Sequence, residues 1–99
     1  MKPTADPTSI VFDSLRRINA TIARKKPVDI ALETRLFGRR GSLNSLGLVW
    51  LVATVEQKIR EEHARDLTLV DDRVTSGDIR PFYSVGTLID YVAELLAQS

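Results

Sequence analysis

The sequence contains no cysteine and a single histidine, His63. The absence of cysteine excludes disulfides, thiolate metal sites and a nucleophilic thiol carried by the protein itself. His63 falls at the end of a predicted helix, and a lone histidine there is typical of a solvated surface residue. Asp71 and Asp72 are adjacent, which suits turn or capping roles better than paired acid–base catalysis. With neither a phosphate-binding glycine motif nor a metal-ligand spacing, the sequence offers little to an enzyme, and we predict that it is not one.

The chain also lacks an excess of charge and a long apolar run. Lys and Arg number 14 against 13 Asp and Glu, a net charge of +1, so the balance does not indicate nucleic-acid binding. The most apolar segment, residues 46–55, is far shorter than the ~18 residues of a membrane span. The residues after Met1 include Pro3 and Thr4 rather than an apolar signal sequence. We therefore expect a freestanding, monomeric, cytoplasmic protein with no membrane span.

The 99 residues are 43% apolar and 27% charged, which suits one globular domain with a modest core. Prolines mark residues 1–7 as a flexible lead-in, and residues 8–99 are predicted to form the single domain. Thr8 or Ser9 is the expected N-cap of a first helix that runs to about Arg24. The basic residues 24–26 suit the negative end of its dipole, and Pro27 stops it. Its core-facing stripe has spacings of four, three and four and comprises Val11, Leu15, Ile18 and Ile22.

Two further main helices follow from the same kind of spacing. The second is predicted from Asn44 or Ser45 to about His63, ~18–19 residues or about 27 Å long. The side that we expect to face the core comprises Leu46, Val49, Val52 or Ala53, Val55 or Glu56, and Ile59. The third follows Ser84 as its N-cap. Its predicted apolar face comprises Val85, Leu88, Ile89, Val92, Leu95 and Leu96.

The remaining segments are predicted to be connections. A long first loop covers residues 27–44. The expected anchors are Leu32, Leu36 and Phe37 in this loop and Leu67, Leu69 and Val70 in the loop after the second helix. Residues 78–82 are long enough for one helical turn, which Pro81 limits. The predicted fold is all-α, with three main helices, one short helix and a long first loop.

The segment of greatest chemical interest is Leu-Asn-Ser-Leu-Gly-Leu-Val, residues 43–49. Ser45 is a small hydroxyl residue at the start of a helix, directly after a glycine-containing loop. A helix N-terminus carries free N–H groups and about half a positive charge, which favour a phosphodiester there. Arg39 and Arg40 lie close in sequence and add to that positive field. The alternative is that Ser45 only caps the helix.

Residues 43–49 resemble the Asp-Ser-Leu signature of acyl and peptidyl carrier proteins. Residues 81–92, Pro-Phe-Tyr-Ser-Val-Gly-Thr-Leu-Ile-Asp-Tyr-Val, resemble the entry to the last helix of the same family. Together with the helix order, the resemblance spans residues 8–97. It implies a four-helix acyl-carrier-like bundle in which 4′-phosphopantetheine is attached to Ser45, with Asn44 and Leu46 flanking the attachment point.

Two features near these motifs bear on the assignment. Asp13-Ser14-Leu15 is a literal Asp-Ser-Leu, but it falls within the first apolar stripe and no glycine-containing loop precedes it. We interpret Ser14 as an ordinary helix-surface residue. At the preferred site, Asn44 replaces the aspartate that is usual in the family. Asparagine caps a helix as well as aspartate does, but it lacks the charge that in the family helps to engage the modifying transferase, so a carrier-like protein that is never modified stays open.

The start of the second helix is apolar nearly all round, since its first acid is Glu56. Part of such a helix cannot face the core of a small bundle. One interpretation packs Trp50 against a neighbouring loop. The other makes a partner-docking patch beside the arm, with Arg39 and Arg40 nearby. The residues of that patch are Leu46, Val49, Trp50 and Ala53.

The resemblance implies a carrier that catalyses nothing itself. Its partners are then a phosphopantetheinyl transferase, which moves the arm from coenzyme A to Ser45, an acyl- or aminoacyl-activating enzyme, which loads a thioester, and a downstream transferase or synthase. The apolar surroundings of Ser45 suggest a specialised pathway of fatty acid, polyketide or nonribosomal peptide biosynthesis. One alternative is an unmodified interaction module that uses the Trp50 face. Another is a small hydrolase or transferase with Ser45 as nucleophile, but His63, its base, would lie about 27 Å away along the same helix.

Overall fold

The computed structural model describes residues 6–21, 28–37, 41, 43, 45–64, 67–69 and 80–97. This part of the chain is all-helical, as predicted. It has three α-helices, α1 (Pro7–Thr21), α2 (Ser45–His63) and α3 (Val85–Ala97), and one 3₁₀ turn, Arg80–Phe82. The described residues contain no β-strand, only one isolated bridge between Arg35 and Ser84. None of the helices described is long and apolar enough to cross a membrane.

The N-terminus of α1 differs from the prediction. Its N-cap is Asp6, whose Oδ1 accepts a hydrogen bond of 2.7 Å from the backbone N–H of Ser9. The hydrogen bond from the Ser9 backbone lowers the pKa of Asp6 below its ordinary value. Pro7 is the first helical residue, a position where its missing N–H costs nothing and its fixed φ suits the helix. The predicted cap at residue 8 or 9 is therefore wrong, and Asp6 and Pro7 belong to the helix start rather than to a lead-in.

The buried face of α1 forms a large part of the core. α1 packs against both α2 and α3. Val11, Leu15 and Ile18 are fully buried, which confirms the described part of the predicted stripe, and Ile10 joins them. Ile22 and residues 24–27 lie outside the described part of the chain. Burial of each large aliphatic side chain is worth roughly 1.5–3 kcal/mol, so this stripe supplies much of the attraction between the helices.

The bounds of α2 agree with the prediction, but its core-facing side is rotated. The side chains that it buries are Leu51, Val52, Thr54, Val55 and Ile59. Of the predicted core residues, Leu46 and Val49 are instead exposed, and this part of the prediction is wrong. The physical reason is that the first three turns are apolar on every side, so hydrophobic spacing does not distinguish one face from another.

Ser84 caps α3, as predicted. Its Oγ accepts the N–H of Thr87 at 3.2 Å, and Thr87 Oγ1 accepts the N–H of Ser84 in return at 3.0 Å. Such a reciprocal arrangement satisfies two backbone donors at the helix start. The predicted apolar face is buried at Val85, Leu88, Ile89 and Val92 and partly buried at Leu95 and Leu96. Tyr91, which the apolar spacing did not select, is also buried.

The described part of the first connection is tied to both α1 and α3. Asn19 on α1 donates from Nδ2 to the carbonyl of Val28, and its Oδ1 accepts the N–H of Val28, both at 2.9 Å. Further along, residues 32–36 form backbone hydrogen bonds of 2.8–3.0 Å with residues 83–86. These hydrogen bonds hold the described part of the connection against α1 and against the start of α3.

The predicted anchors of this connection are only partly confirmed. Leu36 is fully buried and Phe37 is partly buried against the core. Leu32 is 55% exposed and is not an anchor, although its carbonyl accepts the N–H of Gly86 at 2.9 Å. Its attachment is therefore through the backbone. Val28, an anchor that the sequence pattern did not indicate, is buried.

Leu69 is the main anchor after α2. Its side chain is fully buried, as predicted, and Leu67 packs partly against the core. Val70 and Asp71-Asp72 lie outside the described residues. The backbone of Leu69 is held from two sides: Glu56 of α2 accepts its N–H at 2.7 Å, and Tyr91 of α3 donates to its carbonyl at 2.6 Å. This residue therefore links the two helices.

Candidate functional site

Ser45 is the first residue of α2. Two residues before it, the N–H of Leu43 donates to the carbonyl of Leu36 at 2.8 Å. The side chains of Leu36 and Leu43 are both buried in the core. The start of α2 is therefore fixed by two apolar anchors and one backbone hydrogen bond, and it is not the end of an unattached loop.

Gly41 allows this loop to close. A Cβ atom at this position would lie 2.7 Å from the carbonyl oxygen of Leu36 and 2.8 Å from the Cα of Phe37. Both neighbours are backbone atoms, which cannot swing aside as the end of a flexible side chain does. Gly41 is thus required for this close approach of two backbone segments.

Three predicted site residues lie outside the described part of the chain. They are Arg39, Arg40 and Asn44. The positive field attributed to the two arginines and the effect of asparagine before Ser45 both stay predictions.

The residues of the predicted docking patch share one exposed face of α2. Leu46 is 72% exposed, Val49 64% and Trp50 44%, and Ala53 is exposed as well. We refer to these four residues as the apolar stripe. It borders an open groove of about 340 Å³, whose described lining residues all belong to α2: the stripe itself with Thr54 and Gln57. Trp50 therefore lies at the surface of α2, and its packing against a neighbouring loop stays a prediction.

On the side of α2 opposite the stripe, the helix is buried and its polar group there is hydrogen-bonded. The hydroxyl of Thr54 donates to the carbonyl of Trp50 at 2.8 Å, so this buried polar group is satisfied within the helix. The buried side of the same turns carries Leu51 and Val52. α2 therefore buries one apolar face and leaves a second one exposed.

The carboxylates of α2 all have partners within the chain. Glu56 accepts the N–H of Leu69, as described above. Glu61 accepts a hydrogen bond of 3.3 Å from Gln57 Nε2. Glu62 lies 3.7 Å from the ammonium of Lys58. The sequence has no acidic residue between Ser45 and Val55, so the exposed side of the first three turns presents no carboxylate.

Ser14 is not the surface residue that the sequence suggested. It is fully buried, and its hydroxyl donates to the carbonyl of Ile10 at 2.7 Å. The prediction failed because the buried face of α1 is wide enough to include a small polar residue that bonds within its own helix. Burial makes Ser14 unavailable to a modifying enzyme, so the literal Asp-Ser-Leu is a poorer candidate than its letters imply.

The described residues hold no arrangement typical of a hydrolytic site. His63 is the last residue of α2 and Ser45 the first, so their backbones are about 27 Å apart along the axis. Within the described ranges, no group of three or more His, Asp or Glu side chains is placed to hold a metal ion. The candidate site within the described residues therefore consists of Ser45 and the apolar stripe that begins at the next residue of α2.

Comparison with models of known protein families, with curated proteins and with solved structures finds no match to this chain.

Proposed function

We propose that this chain is an acyl or aminoacyl carrier protein that holds a thioester-linked intermediate on a phosphopantetheine arm at Ser45 and presents it to partner enzymes of a specialised biosynthetic pathway. The observation that carries the proposal is the position of Ser45. It opens α2 after a closed, glycine-dependent loop, and an exposed apolar surface begins at the next residue. The two motifs that resemble carrier proteins are the reason for proposing phosphopantetheine as the attached group.

The helix order supports a carrier-like bundle. Within the part of the chain that the structure describes, the three α-helices and the 3₁₀ turn Arg80–Phe82 support the three main helices and one short helix of the proposed fold. The second motif, residues 81–92, covers the turn, the Ser84 cap and the start of α3. Its glycine, Gly86, has its own structural role, because a Cβ there would lie 3.2 Å from the carbonyl oxygen of Leu32.

The residues around Ser45 are compatible with phosphopantetheine. The positive end of the α2 dipole favours an anionic phosphodiester at the first residue of the helix. Leu46 is strongly exposed, so the neighbouring surface is open to an arm and to the enzyme that attaches it. Once attached, the arm supplies a terminal thiol that holds the cargo as a thioester, which a chain without cysteine lacks.

In the attachment step, the Ser45 hydroxyl oxygen attacks the phosphorus of coenzyme A that bears the pantetheine. A serine O–P bond forms, and the P–O bond of the pyrophosphate breaks. Adenosine 3′,5′-bisphosphate leaves with the electron pair, and the hydroxyl proton passes to a base on the transferase, which also holds a magnesium ion. The chain contributes the nucleophilic hydroxyl of Ser45, the first residue of α2.

The proposed partners act in turn on the same end of α2. A phosphopantetheinyl transferase modifies Ser45, an acyl- or aminoacyl-activating enzyme loads the arm, and a downstream transferase or synthase takes the cargo. Tethering keeps the cargo at an effective concentration of roughly millimolar for a short flexible arm. Docking by these enzymes uses Leu46, Val49, Trp50 and Ala53, and the positive field expected of Arg39 and Arg40 stays a prediction from the sequence.

A second candidate is an unmodified, carrier-like interaction module. It is favoured by the apolar stripe, since side chains such as Trp50 are common anchors of protein interfaces, and by asparagine before Ser45. It predicts binding through the stripe with no dependence on the serine hydroxyl.

Intact mass spectrometry separates the two candidates. The purified protein is incubated with coenzyme A, magnesium and a phosphopantetheinyl transferase of broad specificity. The carrier proposal predicts a gain of one phosphopantetheine arm, which is lost in Ser45→Ala and retained in Ser14→Ala. Ser14→Ala is a matched control because it removes the same hydroxyl from the literal Asp-Ser-Leu. No gain with several transferases would overturn the carrier proposal.

A further inference from the structure

The apolar stripe identifies the kind of surface that the modifying enzyme must present. Resting on the proposed function, we infer that the transferase that modifies Ser45 docks on Leu46, Val49 and Trp50 through an uncharged apolar surface of its own. Attraction between a basic enzyme surface and acidic residues of α2 then has little part in recognition.

The positions of Val49 and Trp50 relative to Ser45 indicate that the transferase is the protein that contacts the stripe. An enzyme that holds the Ser45 hydroxyl in its active site must also cover the next turn of α2. Val49 and Trp50 follow Ser45 by four and five residues, a rise of about 6–7.5 Å. Together with Leu46, they are the strongly exposed apolar residues of that turn. An enzyme that covers the first two turns of α2 desolvates these side chains.

The charges of α2 determine the chemistry of the matching surface. No carboxylate is present in the sequence between Ser45 and Val55. The three that follow already bond to Leu69, Gln57 and Lys58 within the chain. A basic enzyme patch would therefore lose hydration without gaining a partner beside Ser45. An apolar patch instead gains the burial energy of the stripe.

The size of the stripe argues against a second copy of this chain as the stable occupant. A specific, stable interface buries roughly 800 Å² on each partner. Three apolar side chains and Ala53 supply only part of such an area. They suit a transient enzyme contact, in which a few anchors near the centre carry most of the affinity.

The first test measures kcat/KM for the modification of Ser45 at about 0.05 to 0.5 M NaCl, a range over which the screening length shortens severalfold. The probe is a phosphopantetheinyl transferase of broad specificity with coenzyme A. Docking on apolar groups predicts a change of less than about twofold over this range. A fall of about tenfold or more would overturn the inference, because exposed charge pairs lose their attraction as salt increases.

Variants locate the contact. Val49→Ser and Trp50→Ser are each expected to lower kcat/KM about tenfold, the effect of removing one interface anchor. Glu61→Gln is the matched control, since it removes an exposed charge from the same helix and should leave the rate unchanged. Far-ultraviolet circular dichroism checks that all variants fold. Unchanged rates in both serine variants, or a slower reaction in Glu61→Gln alone, would contradict the inference.

A binding measurement keeps this inference separate from the proposed function. Trp50 is the only tryptophan of the chain, so 5-fluorotryptophan gives a single ¹⁹F signal at the stripe. In Ser45→Ala, which cannot be modified, the transferase is expected to shift or broaden that signal equally at low and high salt. An unperturbed signal overturns the docking inference even if the wild-type protein is modified. A perturbed signal with no modification of the wild-type protein supports docking and overturns the carrier function.

Discussion

The hydroxyl of Tyr91 donates a hydrogen bond of 2.6 Å to the carbonyl oxygen of Leu69, 22 residues earlier in the chain. Both side chains are buried. The ring of Phe82 packs edge-on against that of Tyr91, with centroids 5.9 Å apart and an angle of 77° between the planes. One residue of α3 therefore joins the segment after α2 and the 3₁₀ turn to the core.

Tyr91→Phe is expected to lower the free energy of unfolding by roughly 1–3 kcal/mol, because the buried carbonyl of Leu69 loses its donor while the ring packing is kept. Urea denaturation followed by circular dichroism measures the change. Tyr83→Phe is the matched control, since Tyr83 is 39% exposed, and its effect is expected to stay within about 0.5 kcal/mol. Equal effects of the two substitutions would contradict a structural role for the Tyr91 hydroxyl.

The two side chains that hold the Leu69 backbone should be energetically coupled. Glu56→Ala removes the acceptor of the Leu69 N–H, and Tyr91→Phe removes the donor to its carbonyl. Once either bond is lost the segment is freer to move, so the second loss is expected to cost less, with a coupling of about 0.5–3 kcal/mol. A double-mutant cycle in urea measures this coupling. Additive effects would show that the two bonds act independently.

Apolar spacing predicted α1 and α3 well because each has a polar side that contrasts with its buried side. The described stripe residues of α1 are buried, and four of the six residues predicted for the apolar face of α3 are as well. In α2 the same approach fails, because Leu46 and Val49 are as apolar as Leu51. Packing against α1 contributes to which of them is buried, and the spacing does not contain that information.

The polar groups that join the elements were not predictable from pattern. Asn19 holds Val28, and Tyr91 holds Leu69, through partners 9 and 22 residues away. Single polar residues at such separations carry no periodic signal. Gly41 was visible as a glycine, but its close approach to Leu36 depends on the path of the loop. The position of Ser45 at a helix start was predictable because glycine, asparagine and an apolar run mark that boundary locally.

The cap of α1 should respond to acid. The hydrogen bond from the Ser9 backbone lowers the pKa of Asp6 below its ordinary value of 3.8. A carboxylate with a lowered folded pKa contributes stability above its unfolded pKa, and that contribution is lost as the pH falls through the folded pKa. We expect wild-type protein to lose stability relative to Asp6→Asn below about pH 4, because asparagine keeps its oxygen acceptor at any pH. Urea titrations from about pH 2 to 7 test this, and parallel curves would contradict it.

Gly41→Ala tests whether the loop before Ser45 is as closed as its contacts indicate. The added methyl meets two backbone atoms within 2.8 Å, so the loop must shift, at a cost of roughly 1–3 kcal/mol. The shift should also slow modification of Ser45. Gly86→Ala is the comparison, because its Cβ would lie 3.2 Å from the nearest atom and a smaller displacement relieves it. An effect of Gly41→Ala no larger than that of Gly86→Ala would argue against a closed loop.

Alanine substitutions at two leucines of α2 distinguish an effect on docking from an effect on stability. Leu46 is 72% exposed and Leu51 is fully buried, although they lie five residues apart in the same apolar run. Leu51→Ala leaves a cavity in the core and is expected to cost about 2–5 kcal/mol. Leu46→Ala leaves no cavity, and alanine is the best helix former, so its effect on stability should stay within about 0.5 kcal/mol. Modification of Ser45 should show the opposite order, with Leu46→Ala slower than wild type at full stability. If Leu46→Ala were instead as destabilising as Leu51→Ala, the stripe would be part of the core, and its role in docking would have no basis.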